Sequence, residues 1–183
     1  MNLVTVIEDL LDTLPRCGST HLIAIDGPAG AGKTTLSKEL ALALSIHRKV
    51  SVLHLDEIYA GWDLALGQTL TDSLSKMLHS ISVEKTAIVP IYDWVAERFS
   101  STREITPCDL IIIEGVGSAQ QIVREFATAT IWIDIDPQTG LQRVLDRDGT
   151  TIEEEMKLWQ EREEEHFHAD ATRENVDFVL STL

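Results

Sequence analysis

Hydrophobic positions along this chain follow two alternating rhythms. His21-Leu22-Ile23-Ala24-Ile25-Asp26 and Asp109-Leu110-Ile111-Ile112-Ile113-Glu114 are unbroken apolar runs closed by a carboxylate. Such runs belong to strands covered on both faces of a parallel sheet. Val50 to Leu55, Ala129 to Ile135 and Val176 to Leu180 read as further strands, and Thr86 to Ile91 as a strand or one arm of a hairpin. Between them the period changes to that of a helix. Val4, Ile7, Leu10, Leu11 and Leu14 predict a helix over 2–14, and Leu36, Leu40, Leu42 and Leu44 predict one after Lys33. Leu70, Leu74, Met77, Leu78 and Ile81 mark another over 68–81, and Pro137 opens one that runs to Arg147. A long helix from Thr151 to His168 carries Ile152, Met156, Trp159 and Phe167 on one side; its acidic stretch from Glu153 to Glu165 is predicted to be the wet face. Strands alternating with helices imply an α/β fold with a parallel sheet covered on both sides. No repeat or flexible linker divides residues 1–183, so one domain is expected.

Charge narrows the range of partners. With 15 basic and 30 acidic residues the net charge is −15, which argues against nucleic acid and anionic membrane as partners. No apolar run approaches the roughly 18 residues of a membrane span. The acidic start, with Glu8, Asp9 and Asp12, lacks the basic region of a signal peptide, so the cytoplasm is the expected location. Cys17 and Cys108 make no disulfide framework and are expected to be small buried hydrophobes. His166 and His168, two apart on a helix, point different ways and are expected to be solvated.

The chemistry concentrates in Gly27-Pro28-Ala29-Gly30-Ala31-Gly32-Lys33-Thr34, which fits G-x-x-x-x-G-K-[ST] between a strand and a helix. Glycines there let backbone N–H groups curl around a phosphate chain, and the helix dipole adds to the field. Lys33 is expected to reach the β- and γ-phosphates and the Thr34 hydroxyl to hold Mg²⁺. Sites in such sheets lie at the carboxyl ends of the strands, where Asp56 and Glu114 also stand. A carboxylate at that place accepts a proton from an attacking hydroxyl or holds the metal. Arg143 and Arg147, four apart on one helical face, are candidates to meet the γ-phosphate, with ion pairs to Asp146 or Asp148 as the plain structural alternative. Trp132 and Trp159 are expected in the core.

Gly61-Trp62-Asp63 resembles a variant seen in uridine-kinase-like proteins, mainly of high-GC Gram-positive bacteria, and four further segments resemble the uridine kinase family of P-loop nucleoside and nucleotide kinases. They are the strand and loop from Ile25 through Thr35, Leu55-Asp56-Glu57-Ile58-Tyr59, Pro90-Ile91-Tyr92-Asp93-Trp94, and Leu110 through Val116. The stretch 143–148 is similar to the family's arginine-bearing lid, and 164–179 to its closing helix and strand. The resemblance implies a three-layer α/β/α fold with a five-stranded parallel sheet in the order 2-3-1-4-5 and a short lid over roughly 143–151. It implies ATP bound by residues 27–35 including Thr35, Mg²⁺ at Thr34 and Glu114, and Asp56 as base toward a sugar hydroxyl. The acceptor-binding region is implied at roughly 56–100, with Tyr59, Trp62, Tyr92, Asp93, Trp94, Glu97 and Arg98 facing a nucleoside-like small molecule. Glu97 stands where the family has a histidine, and Arg98 falls one position before the family arginine. Asp93 has a second reading as the cap of its own turn, and the loop aromatics a second reading as packing anchors. The expected activity is ATP-dependent transfer of phosphate to a nucleoside hydroxyl. A nucleotide, sugar or vitamin-precursor acceptor remains open, as do an NTP-binding switch and a homo-oligomeric assembly.

Overall fold

The computed structural model describes residues 2–181. In chain order the elements are α1 (Leu3–Leu11), β1 (His21–Asp26), α2 (Lys33–Leu44), β2 (Val50–His54), α3 (Gln68–Ser82), β3 (Ala87–Asp93) and β4 (Arg98–Ile105). They continue with β5 (Leu110–Glu114), α4 (Gln121–Arg124), β6 (Ala129–Asp134), α5 (Pro137–Asp148), α6 (Glu153–Asp170) and β7 (Phe178–Ser181). Short 3₁₀ turns cover Leu55–Glu57, Thr150–Ile152 and Arg173–Asn175.

β2-β5-β1-β6-β7 form one parallel sheet, the order 2-3-1-4-5 when only its own strands are counted. Its strands alternate their side chains between two cores, as the pleat requires. Leu22 and Ala24 of β1 join Leu70, Leu74 and Leu78 of α3 and Phe167 of α6 on one face. Ile23 and Ile25 join Ile7 of α1 and Leu40 and Leu44 of α2 on the other. Helices therefore cover both faces, giving three layers. The register sets Glu114 of β5 level with Ile25 of β1 and His54 of β2. Three strand ends thus meet on one rim, where the loops after them converge.

The stretch from Thr86 belongs to a hairpin. β3 and β4 pair with each other antiparallel and stand apart from the main sheet. Ala87 and Val89 are buried toward α3 while Ile88 faces out. Pro90, with no N–H, occupies a strand that has a neighbour on one side only. Arg103 of β4 ties the hairpin to the sheet, donating to the Val52 carbonyl at 2.7 Å and to Glu57 Oε2 at 2.9 Å.

Several boundaries differ from the sequence expectation. α1 stops at Leu11, and Leu14 beyond it is exposed just before Pro15. A residue before proline is driven out of helical geometry. The long final helix begins with a 3₁₀ turn and reaches Asp170. No helix among the described residues is long and apolar enough to cross a membrane.

Candidate active site

β1 ends in Asp26, whose fully buried carboxylate accepts N–H groups from Gly27 (2.8 Å), Gly117 (3.0 Å) and Ala119 (2.8 Å). Burial pushes this carboxyl up, and the three donors pull it back down together with Lys33. Asp26 therefore staples the glycine loop after β1 to the loop after β5. The glycine loop delivers the chain to α2, whose N-cap Gly32 has φ 97° and offers no side-chain acceptor to the first amides of the helix. A β-carbon on Gly32 would meet nothing within 4 Å, and Gly32, Lys33 and Thr34 line a cavity. A helix start of this kind is suited to an anion.

Lys33 is nearly buried and bends back over the loop. Its Nζ donates to the Gly27 carbonyl at 2.6 Å and to the Pro28 carbonyl at 2.8 Å. Burial pulls its pKa down, and the carboxylates of Glu163, Asp26, Glu114 and Asp56 oppose that pull. Thr34 donates its hydroxyl to Glu114 Oε1 at 2.9 Å, and His54 Nδ1 lies 2.5 Å from the same oxygen. Sequence reasoning did not single out His54; its place opposite Glu114 in the strand register is the signal that brings it there.

The Thr34 and Glu114 donors are hard oxygens, the chemistry Mg²⁺ selects. Among the described residues no group of three or more His, Cys, Asp or Glu side chains could hold a metal ion. Mg²⁺ characteristically fills most of its shell with water and substrate phosphate oxygens, so the two side chains fit such an ion.

Lys33, Thr34, Thr35, Asp56 and Glu114 share a cavity of about 510 Å³ with Gly30, Gly32, Arg143 and Arg147. Aromatic rings close its far side. Trp62 meets both Trp94 and Trp159 edge to face, at centroid distances of 5.4 and 5.8 Å, and Tyr59 lies 5.3 Å from Trp159. The Trp94 indole donates to the Asp56 carbonyl at 3.0 Å, joining the hairpin to the turn after β2. Tyr59 spends its hydroxyl on the Val116 carbonyl at 2.8 Å, and burial holds that phenol well above its ordinary pKa.

The remaining expected residues fall elsewhere. Tyr92 lines a smaller neighbouring cavity with Thr34, Lys38, His54, Asp56 and Trp94. Asp93 Oδ1 accepts the N–H groups of Val95 (3.0 Å) and Ala96 (2.9 Å), so this carboxylate caps its own turn. Glu97, at φ 52°, and Arg98 are exposed at the hairpin tip, away from the larger cavity. On α5, Arg147 is forked onto Asp148 at 2.6 and 2.8 Å, which raises its pKa, while Arg143 makes no side-chain hydrogen bond or ion pair among the described residues.

Trp159 is in the core as expected and also forms a cavity wall. Two sequence expectations for α6 are corrected. His166 is only half-exposed: its Nε2 is buried against Gly117 without a hydrogen-bond partner, whereas His168 is exposed as expected. Glu163 is not on the wet face: it is 3% exposed, and its Oε2 accepts the Ala29 N–H at 3.0 Å and the Trp159 indole N–H at 2.9 Å. The buried stripe Met156, Trp159, Glu163, Phe167 has helical spacing and could have drawn attention to it, but the surrounding glutamates concealed it.

With this geometry in view, the chain matches the model of the AAA_18 family, described as an AAA domain, over residues 23–168. The chain belongs to this family. Within the AAA_18 match lie the glycine loop, both strand-end carboxylates, the arginines of α5 and Glu163. The chain is also similar to a uridine kinase of Staphylococcus aureus, 29% identical over 144 aligned residues that span 71% of this chain and 69% of that protein. Its fold is shared by a structure described as a putative fructose transport system kinase from Silicibacter sp. TM1040 (TM-score 0.73, 18% identity, 98% of each chain). A possible uridine kinase from Bacillus stearothermophilus shares it too (TM-score 0.62, 22% identity, 96% of this chain and 99% of that one). The fold is thus that of P-loop kinases, with the five-stranded parallel sheet expected from the sequence.

Proposed function

We propose that this AAA_18 member is a Mg²⁺-dependent cytoplasmic kinase that transfers the γ-phosphate of ATP to a hydroxyl of a small, nucleoside-like molecule. The observation that carries this reading is the shared cavity: the phosphate loop, a threonine–carboxylate pair suited to Mg²⁺ and a separate strand-end carboxylate open onto one aromatic-walled space. A nucleotide switch has no need of the aromatic wall or of Asp56. In this reading residues 1–183 are one domain, 143–151 act as the lid and 56–100 contact the acceptor.

Phosphoryl transfer needs positioning and charge stabilisation more than covalent chemistry. The α2 amides and Lys33, released from the Gly27 and Pro28 carbonyls, hold the phosphates. Thr34 and Glu114 would hold Mg²⁺, which supplies positive charge against the phosphate oxygens. Asp56 orients the acceptor hydroxyl and takes its proton as the new O–P bond forms; the bond from the γ-phosphorus to the β–γ bridging oxygen breaks, and ADP carries that electron pair away. Arg143, and Arg147 once freed from Asp148, approach the transferring group from α5.

A different hydroxyl compound, such as a sugar, gains support from one placement: Glu97 and Arg98, the residues nearest the family's nucleoside-reading positions, stand outside the larger cavity. The test is ADP release at saturating Mg·ATP with nucleosides first, then nucleotides, sugars and vitamin precursors. Release that depends on one acceptor class is the expected result. Slow release indifferent to every acceptor would replace the kinase reading with a switch.

A further inference from the structure

Among the glutamates of α6 only Glu163 is buried, and it sits in the middle of an otherwise apolar stripe. Taking a carboxylate out of water costs free energy unless strong partners replace the water. Here the direct partners are two N–H donors; the nearest opposing charge, Lys33, acts from beyond ion-pair distance. Packing alone does not account for the charge, since an apolar side chain of similar size would fill the stripe without that cost. What Glu163 gains is a hold on the Ala29 peptide inside the glycine loop.

That peptide is gripped on its other side as well. The α-carbon of Gly140, in α5, comes so close that a β-carbon there would stand 2.7 Å from the Ala29 carbonyl oxygen. Ala29 is therefore pinned through its N–H by α6 and through its carbonyl by the close passage of α5. Lys33 then hooks the neighbouring Gly27 and Pro28 carbonyls. The first half of the loop has little freedom left, while its second half, from Gly30 into α2, faces the cavity.

We propose that Glu163 is a positioning residue: from α6 its carboxyl oxygen fixes the Ala29 peptide, and this sets the shape in which the loop receives phosphate. The role rests on the phosphate-loop reading above but is not implied by it, since Glu163 does not line the cavity. The requirement is for an acceptor oxygen and not for charge. Glu163→Gln keeps that oxygen, whereas Glu163→Leu fills the space without it.

The experiment is equilibrium titration of the full chain with Mg·ATP, alongside thermal unfolding of each variant. E163L should raise Kd roughly tenfold, the scale of one lost buried hydrogen bond, and E163Q should restore it to within about threefold of the wild type. A folded E163L that binds as tightly as the wild type overturns the inference while leaving the phosphate loop intact; so does an E163Q as weak as E163L. A wild type that binds no nucleotide removes the phosphate-loop reading and this inference with it. Should E163L not fold, hydrogen exchange of the Ala29 amide in the wild type and in E163Q decides. Held by the residue 163 oxygen, that amide should be protected in both. An Ala29 amide that exchanges as fast as an exposed loop amide in either protein overturns the inference.

Discussion

At the scale of single residues, Asp56 and Glu163 carry opposite kinds of consequence. Asp56 lines the cavity beside Thr34 but makes no side-chain hydrogen bond among the described residues, so its oxygens remain available to an acceptor hydroxyl. Asp56→Asn should lower kcat by roughly 10²–10⁴ with little change in ATP affinity, the range for losing a general base. Steady-state kinetics with a nucleotide titration check this, and unchanged turnover would take Asp56 out of the chemistry. Glu163 instead ties stability to pH. Burial raises its folded pKa to about 7, above the ordinary carboxylate value of 4.5, so the folded state binds the extra proton between those limits. Its contribution to stability is complete at pH 4.5 and below, and declines as pH rises toward and through 7. The melting temperature of the wild type should therefore fall relative to that of E163Q between pH 5 and pH 8. A constant difference across that range would mean that the carboxyl does not titrate there.

At the scale of elements, the contact between α5 and the glycine loop sets two rules against each other. Gly140 lies within α5, where alanine is intrinsically better by about 1 kcal/mol. Its added methyl would press on the Ala29 carbonyl, which has no room to yield, and such overpacking costs roughly 1–3 kcal/mol. Gly140→Ala is expected to lower the melting temperature and weaken Mg·ATP binding, both checked on one purified variant. A rise in melting temperature would show that the loop gives way. These element contacts mark how far the sequence could be read. Apolar segments identified all five sheet strands: β1 and β5 as unbroken runs, because they are buried throughout, and the border strands β2 and β7 as short stretches with β-branched residues that are only partly buried. The stretch from Thr86 was ambiguous, since a hairpin arm and a sheet strand share β-branched residues and differ only in which partner they find. The phosphate loop was legible because its spacing is local. Glu163 was not, because its partner Ala29 is far away in the chain and its helical neighbours are charged. Asp93 fits its turn, and its carboxylate is occupied there by two backbone donors.

At the scale of the whole molecule, the cavity is assembled from loops after three strands, from the β3–β4 hairpin through Trp94, and from α5 and α6. Ligand binding should therefore stabilise the entire structure. A nucleotide present at 100 times its Kd adds about 2.7 kcal/mol by mass action, equivalent to roughly 5–10 °C in a domain of this size. Differential scanning measurements with Mg·ATP check this, and a melting point indifferent to nucleotide would contradict the cavity assignment. The same assembly leaves β2 at the border of the sheet, with β5 as its one neighbour. An unguarded border strand recruits strands from other molecules. Arg103 already occupies the Val52 carbonyl on that side, and the hairpin that carries it screens the strand. Arg103→Ala would uncover this seam, and its first symptom should be self-association during refolding, seen as light scattering that grows with protein concentration.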